Sequence, residues 1–177
     1  MLKWIVCIGA AAALVVPVAA LADDGAPAPA TVASQMCKQL QSTMAAGTFA
    51  STYGTNKSRS NALGKCISAQ SKTASQDVSN AAKTCKAAQA ADPAAFATQY
   101  GSNGKAGSKG AGKNALGKCI SGAVKKAVTD QVAKIKGAGA QCKAARKSDA
   151  AGFATKYGTA KGAFAKCVHQ TAAAKTP

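Results

Sequence analysis

Asn61-Ala62-Leu63-Gly64-Lys65-Cys66 returns letter for letter as Asn114-Ala115-Leu116-Gly117-Lys118-Cys119. A relaxed copy stands at Gly162-Ala163-Phe164-Ala165-Lys166-Cys167. Other marks keep step with these three stretches. A Cys-Lys pair (Cys37-Lys38, Cys85-Lys86, Cys142-Lys143) comes first in each copy. Phe-Ala follows (Phe49-Ala50, Phe96-Ala97, Phe153-Ala154), then Tyr-Gly (Tyr53-Gly54, Tyr100-Gly101, Tyr157-Gly158). The first cysteine leads the Phe by 12, 11 and 11 residues, and Phe leads Tyr by 4 in every copy. From Tyr to the second cysteine the gap is 13, 19 and 10. Fixed spacing reads as shared secondary structure, and the elastic joint as a loop.

The fixed blocks read as helices. Phe and Tyr at i and i+4 share one helix face. Asp92-Pro93 supplies an N-cap and a first-turn proline, Asp149 takes the same place in the third copy, and Ala45 is the weaker start of the first. Gly54, Gly101 and Gly158 suit a left-handed close of each short helix. Asn61, Asn114 and Gly162 are N-cap types for the helices that come next. From there, small or apolar residues recur at helical spacing. One row is Ile67, Ser71, Ala74, Val78, Ala81, Cys85, Ala88. The other is Ile120, Val124, Val128, Val132, Ile135, Gly139, Cys142. The second cysteine of one unit and the first of the next therefore share one long helix, with Gly137 and Gly139 marking a bend or break in the second.

This placement narrows the cysteine pairing. On one continuous helix Cys66 and Cys85 stand ~28 Å apart, and Cys119 and Cys142 ~34 Å. A disulfide needs Cα atoms within about 7 Å. The repeat then favours bonds inside each unit: Cys37–Cys66, Cys85–Cys119 and Cys142–Cys167. The expected fold is all-α, three tandem disulfide-stapled helical hairpins sharing long connecting helices. Its parts are repeat units at 31–67, 85–120 and 142–177, with connecting helices at 68–84 and 121–141. At Gly64 and Gly117 a small side chain is expected where two helices cross, because the third copy carries Ala165 there.

Residues 1–22 read as a secretory signal: Lys3, an apolar run from Trp4 to Val18, and Ala20-Leu21-Ala22 as the cleavage site. The run is shorter than the ~20 residues a spanning helix needs, so no integral membrane span is expected after cleavage. Cys7 leaves with the signal, and six cysteines remain, an even set suited to an oxidising compartment. Residues 23–30 alternate Pro and Ala as an extended linker. Leu, Ile, Val and Phe make up only about a tenth of the chain beyond the signal. So thin a core with high charge tends to disorder unless something staples it.

The charge is +17, from 23 Lys+Arg against 6 acids, all of them Asp. Lysine dominates, and it is a hydrated point charge rather than a bidentate reader of phosphate. Lys38, Lys86 and Lys143 follow the first cysteine of each unit, and Lys65, Lys118 and Lys166 precede the second. If the units stack, these six build a periodic basic stripe able to contact polyanions.

Other chemistry finds little support. Gly107-Ser108-Lys109-Gly110-Ala111-Gly112-Lys113-Asn114 fits the phosphate-loop pattern until Asn114 replaces the hydroxyl residue that would hold magnesium. No strand precedes it, so no nucleotide site is expected and the stretch reads as a flexible linker. With no Cys-x-x-Cys and one histidine, zinc lacks its ligands. His169 reads as a solvated residue beside the last helix. Asp77, Asp92, Asp130 and Asp149 are not spaced to share an acid–base site. No cofactor and no catalysis are expected. The Phe/Tyr pairs read as core rather than as stacking platforms for bases.

The order Cys-Lys, Phe-Ala-x-x-Tyr-Gly, Asn-Ala-Leu-Gly-Lys-Cys, spanning about Cys37 to Val168, resembles a repeat of small secreted actinobacterial proteins of unassigned function. The resemblance implies export and repetition, and no active site. The expected function is that of an exported, noncatalytic cationic protein associating with anionic polymers at the cell surface or with extracellular nucleic acid. The alternative is a structural spacer whose charge serves solubility alone.

Overall fold

The computed structural model describes residues 25–101, 114–160 and 162–174. Among them the regular structure is all helix: α1 (Pro29–Thr43), α2 (Thr48–Tyr53), α3 (Ala62–Ala91), α4 (Pro93–Tyr100), α5 (Ala115–Ser148), α6 (Ala150–Tyr157) and α7 (Ala163–Ala173). The three disulfides are Cys37–Cys66, Cys85–Cys119 and Cys142–Cys167, with Cα separations of 5.9, 6.0 and 6.0 Å. The fold is the expected stapled all-α one. Cys66 and Cys85 share α3, and Cys119 and Cys142 share α5.

α1 begins inside the stretch expected to be linker. Pro29 occupies its first turn, where a fixed φ and a missing N–H cost nothing. Its buried stripe is Val32, Ala33, Met36, Cys37 and Leu40. The chain then turns, and α2 starts at Thr48 rather than near Ala45. Ala45 has no side-chain acceptor, so the start is made by Gly47 in the left-handed region (φ 73°). α2 has 6 residues, against 8 in α4 and α6.

Asp92 and Asp149 do more than begin a helix. The Asp92 backbone N–H bonds back to Ala88 O at 3.3 Å, ending α3, while its Oδ1 accepts from Ala95 N at 2.9 Å, starting α4. Asp149 bonds to Ala145 O at 3.0 Å and accepts from Gly152 N at 2.8 Å. Each long helix thus passes into a short one through a single aspartate at φ near −145° (−148° and −145°).

The closing glycines differ from expectation. Gly54 and Gly101 are extended (φ −72° and −65°), and Gly158 has φ 95° with ψ 168°. None closes its helix in the left-handed helical well. At Gly54 the reason for glycine is room: a Cβ would lie 2.5 Å from Arg59 Cβ and 2.7 Å from Ala50 O.

Asn61 and Asn114 hold the N-cap positions, but neither side chain caps. Asn61 turns back instead. Its Oδ1 accepts from Thr55 N at 3.1 Å and its Nδ2 donates to Thr55 Oγ1 at 2.8 Å, closing the preceding turn. Asn114 takes the left-handed conformation (φ 64°), which asparagine tolerates better than most residues.

α5 buries the whole expected row, Ile120 to Cys142. It runs unbroken through Gly137 and Gly139. Gly139 serves contact rather than bending: an added Cβ would lie 3.0 Å from Met44 Cε and 3.3 Å from Thr48 Cγ2. α3 keeps Ala74, Val78, Ala81 and Cys85 inside, but its first turns bury Cys66 and Gln70. Ile67 is half-buried, and Ser71 and Ala88 are exposed. The bond to Cys37 fixes Cys66 inward and rotates the start of the stripe by one residue. Gly64 is exposed with nothing within 4 Å of an added Cβ, so no helix crosses there. At Gly117 the neighbour is the N-terminal Gly25, whose added Cβ would lie 3.4 Å from Gly117 Cα.

The long helices double back. Cys85 near the end of α3 bonds Cys119 near the start of α5. α2 touches α3 at Gln70 and α5 at Gly139, a helix length away from that bond. α3 and α5 therefore run in opposite directions. α1 packs on both, α7 packs on α5, and α2 reaches α7.

Candidate functional site

The three Phe/Tyr pairs are structural. Phe49, Phe96 and Phe153 are buried, and the rings meet Tyr53, Tyr100 and Tyr157 at 5.1, 4.9 and 4.8 Å with tilts of 49°, 48° and 47°. Such tilted contacts are favourable beyond the buried area alone. Tyr53 is the deepest of the three. Burial pushes its phenol up to about 12, against the lowering pull of Gln70, whose Nε2 donates to the Tyr53 oxygen at 3.4 Å.

His169 lies within α7, not beside it, with its ring edge-on to Tyr53 at 5.8 Å. Loss of water on that side lowers its pKa, although the residue keeps an exposed edge. Asp77 sits midway along α3. One carboxylate oxygen, Oδ2, is buried with no hydrogen-bond partner. Burial raises the Asp77 pKa, and the positive charge of Lys134 on α5 opposes that rise. Among the described residues neither side chain hydrogen-bonds to a second titratable group. Among the described residues no three His, Cys, Asp or Glu gather as a metal site. Residues 107–113 of the glycine-rich stretch lie outside the described residues.

Each disulfide brackets two exposed lysines: Lys38 with Lys65, Lys86 with Lys118, and Lys143 with Lys166. Neighbouring Cα atoms are 3.8 Å apart, so the two lysine Cα atoms of a pair lie within about 14 Å. The pairs are gathered at two ends rather than along a stripe. Cys66 is one turn from Gln70, Cys142 one turn from Gly139, and Cys167 two residues from His169. All three of those neighbours meet α2 or the corner that precedes it. Lys38, Lys65, Lys143 and Lys166 therefore share one end, and Lys86 and Lys118 the other.

At the four-lysine end lies a cleft that the sequence did not announce. It has three adjoining parts with shared walls. One, of about 350 Å³, is an apolar trough between the α1–α2 corner and α5, floored by Met44, Ala45, Ala140 and Ala144 and lined also by Lys136, Lys143 and Lys147. A narrow middle part of about 150 Å³ shares Thr48 and Lys143 with the trough. It shares Ser51, Arg146 and Phe164 with the third part, of about 390 Å³, which Arg59 and Phe153 also line. Among the described residues that line the cleft, none is acidic.

Arg59 and Arg146 are the only arginines among 23 cations, and both line the same cavity. Each is held in place. An Arg59 guanidinium N–H donates to Ser51 Oγ. Arg146 lies over the Phe164 ring at 5.2 Å, a cation–π contact. Arg59 is also one of two non-glycine residues with positive φ among those described, at 58°. That conformation costs a residue with a Cβ about 1–2 kcal/mol. The one signal in the sequence was the rarity of arginine, and rarity without proximity points nowhere. Of the six lysines expected to contact polyanions, Lys143 alone lines this cleft.

No protein family, curated protein or solved structure matches the chain, so the residues and their geometry carry its functional reading.

Proposed function

We propose that the protein is an exported, noncatalytic cationic module that associates with anionic polymers through its lysines. One observation carries the reading: the fold brings Lys38, Lys65, Lys143 and Lys166, far apart in sequence, to one end of the α3–α5 pair. Few carboxylates offset them. The whole chain has 6 aspartates against 23 Lys+Arg. Three disulfides suit an oxidising compartment, and no described helix is long and apolar enough to cross a membrane.

Counterion release gives the test. Affinity for a polyanion falls linearly in log–log form as salt rises, with a slope near 0.9 per neutralised phosphate on duplex DNA. Retention on heparin and on duplex DNA should fall steeply with sodium chloride. The triple variant K38Q, K65Q and K166Q should elute at lower salt and show a slope smaller by about 2–3 on DNA. Absent retention, or retention that ignores salt, sinks the reading in favour of a spacer whose charge only maintains solubility.

A further inference from the structure

We propose that the cleft between α1–α2, α5 and α6–α7 binds a single-chain anionic amphiphile, an alkyl phosphate or long-chain carboxylate. The headgroup sits on Arg59 and Arg146, and the chain lies in the Met44–Ala144 trough. This goes beyond association with polymers, because it assigns a site for one small molecule.

The headgroup end rests on chemistry that lysine does not supply. A guanidinium is planar, always charged, and presents five N–H donors in a fork that fits the oxygens of phosphate or carboxylate. This chain places lysine at 21 of its 23 cationic positions, and its two arginines face one cavity. Ser51 and the Phe164 ring fix the two guanidinium groups while engaging only part of their hydrogen-bonding capacity. No carboxylate lies within ion-pair distance of either among the described residues. Arg59 also holds a left-handed backbone, a conformation found with raised frequency at ligand sites.

The tail end rests on shape and charge together. The trough is lined almost wholly by apolar atoms of Met44, Ala45, Ala140 and Ala144, yet Lys136, Lys143 and Lys147 rim it. An apolar chain that carries negative charge satisfies both features. A neutral or cationic amphiphile satisfies only the first. A bare oxyanion leaves the trough unused. The two larger parts, about 350 and 390 Å³, fall in the size range of ligand pockets. The middle part shares Thr48 and Lys143 with the trough and Ser51, Arg146 and Phe164 with the arginine cavity, which sets the two side by side.

The experiment is calorimetric titration of the disulfide-intact protein with dodecyl phosphate and dodecanoate below their micelle concentrations. Dodecyltrimethylammonium and inorganic phosphate serve as controls. One molecule should bind per chain. The double variant R59Q and R146Q should weaken dodecyl phosphate at least tenfold. Ala144→Leu, at an exposed helix position, should weaken it about fivefold by filling the trough, with helicity by circular dichroism unchanged. Inorganic phosphate should bind at least a hundredfold more weakly, and the cationic amphiphile not at all. Several molecules bound per chain with no response to either variant overturns the proposal, as does equal binding of the cationic amphiphile. Equal binding of inorganic phosphate overturns the tail site. K38Q with K65Q should lower heparin retention and leave dodecyl phosphate binding unchanged, so the two readings fail separately.

Discussion

At the scale of single residues, small groups set local geometry by what they touch. Asp92 and Asp149 each end one helix and begin another. Replacing either by Ala removes the acceptor for the Ala95 or Gly152 amide, and should cost about 1 kcal/mol in urea unfolding. Gly54 and Gly139 should respond differently to alanine. At Gly54 the new Cβ meets backbone and another Cβ, which cannot move aside, and the loss should be about 1–3 kcal/mol. At Gly139 it meets the flexible end of Met44 and the methyl of buried Thr48, which offsets the helix propensity of about 1 kcal/mol that alanine regains, so the net change should be near zero. Asp77 and His169 make stability depend on pH in opposite directions. The Asp77 pKa is raised in the fold, so its contribution is full below the ordinary 3.8 and is lost as pH rises through the folded value. Asp77→Asn should therefore raise the thermal midpoint at pH 7, with the gain gone at pH 3. The His169 pKa is lowered, so its contribution is present above 6.5 and is lost as pH falls through the folded value. His169→Phe should flatten the acid side of the stability curve between pH 7 and pH 5.

At the scale of elements, each staple joins two helices whose own sequences are weakly apolar. α3 buries alanines, cysteines, one valine and a glutamine, a stripe too poor to hold a partner by area alone. The bridged cysteines are 29, 34 and 25 residues apart. Loops of that size restrict the unfolded chain by about 3–4 kcal/mol each in the chain-entropy treatment. Full reduction should abolish most of the helical circular dichroism at 37 °C. Retention of native helicity after reduction would show that packing suffices without the bonds. The short helices act as aromatic wedges against the long ones. Phe96→Ala should cost about 3–5 kcal/mol, the range for a buried aromatic, and Tyr100→Ala clearly less because its ring is only partly covered.

At the scale of the whole molecule, the reversal between α3 and α5 decides which residues meet. A linear stack would have spaced the lysine pairs evenly. Doubling back puts the first and third disulfides at one end and leaves the second at the other. It also sets Arg59, which lies just after α2, in the same cavity as Arg146, 87 residues later. The salt dependence of heparin retention belongs to this scale, because it reads charges that only the fold gathers. Substituting Lys86 and Lys118 at the far end should change retention less than substituting Lys38 and Lys65.

The spacing of cysteines and aromatics made the helix content and the shared long helices legible, and it favoured the pairing within each unit that the three disulfides have. Those features follow from local periodicity and from how far apart one helix holds two residues. The α5 stripe was legible because Ile and Val mark it. The first turns of α3 were not, because alanine and serine carry little apolar signal and the Cys37–Cys66 bond chose the face. Asn61 and Gly54 were visible as special residues, but their tasks were not: each serves a contact across the Thr55–Arg59 turn. The cleft with its two arginines was decided by tertiary structure alone. It exists where α5 meets the α1–α2 corner and α7, and no repeat spacing encodes the direction in which the second long helix returns.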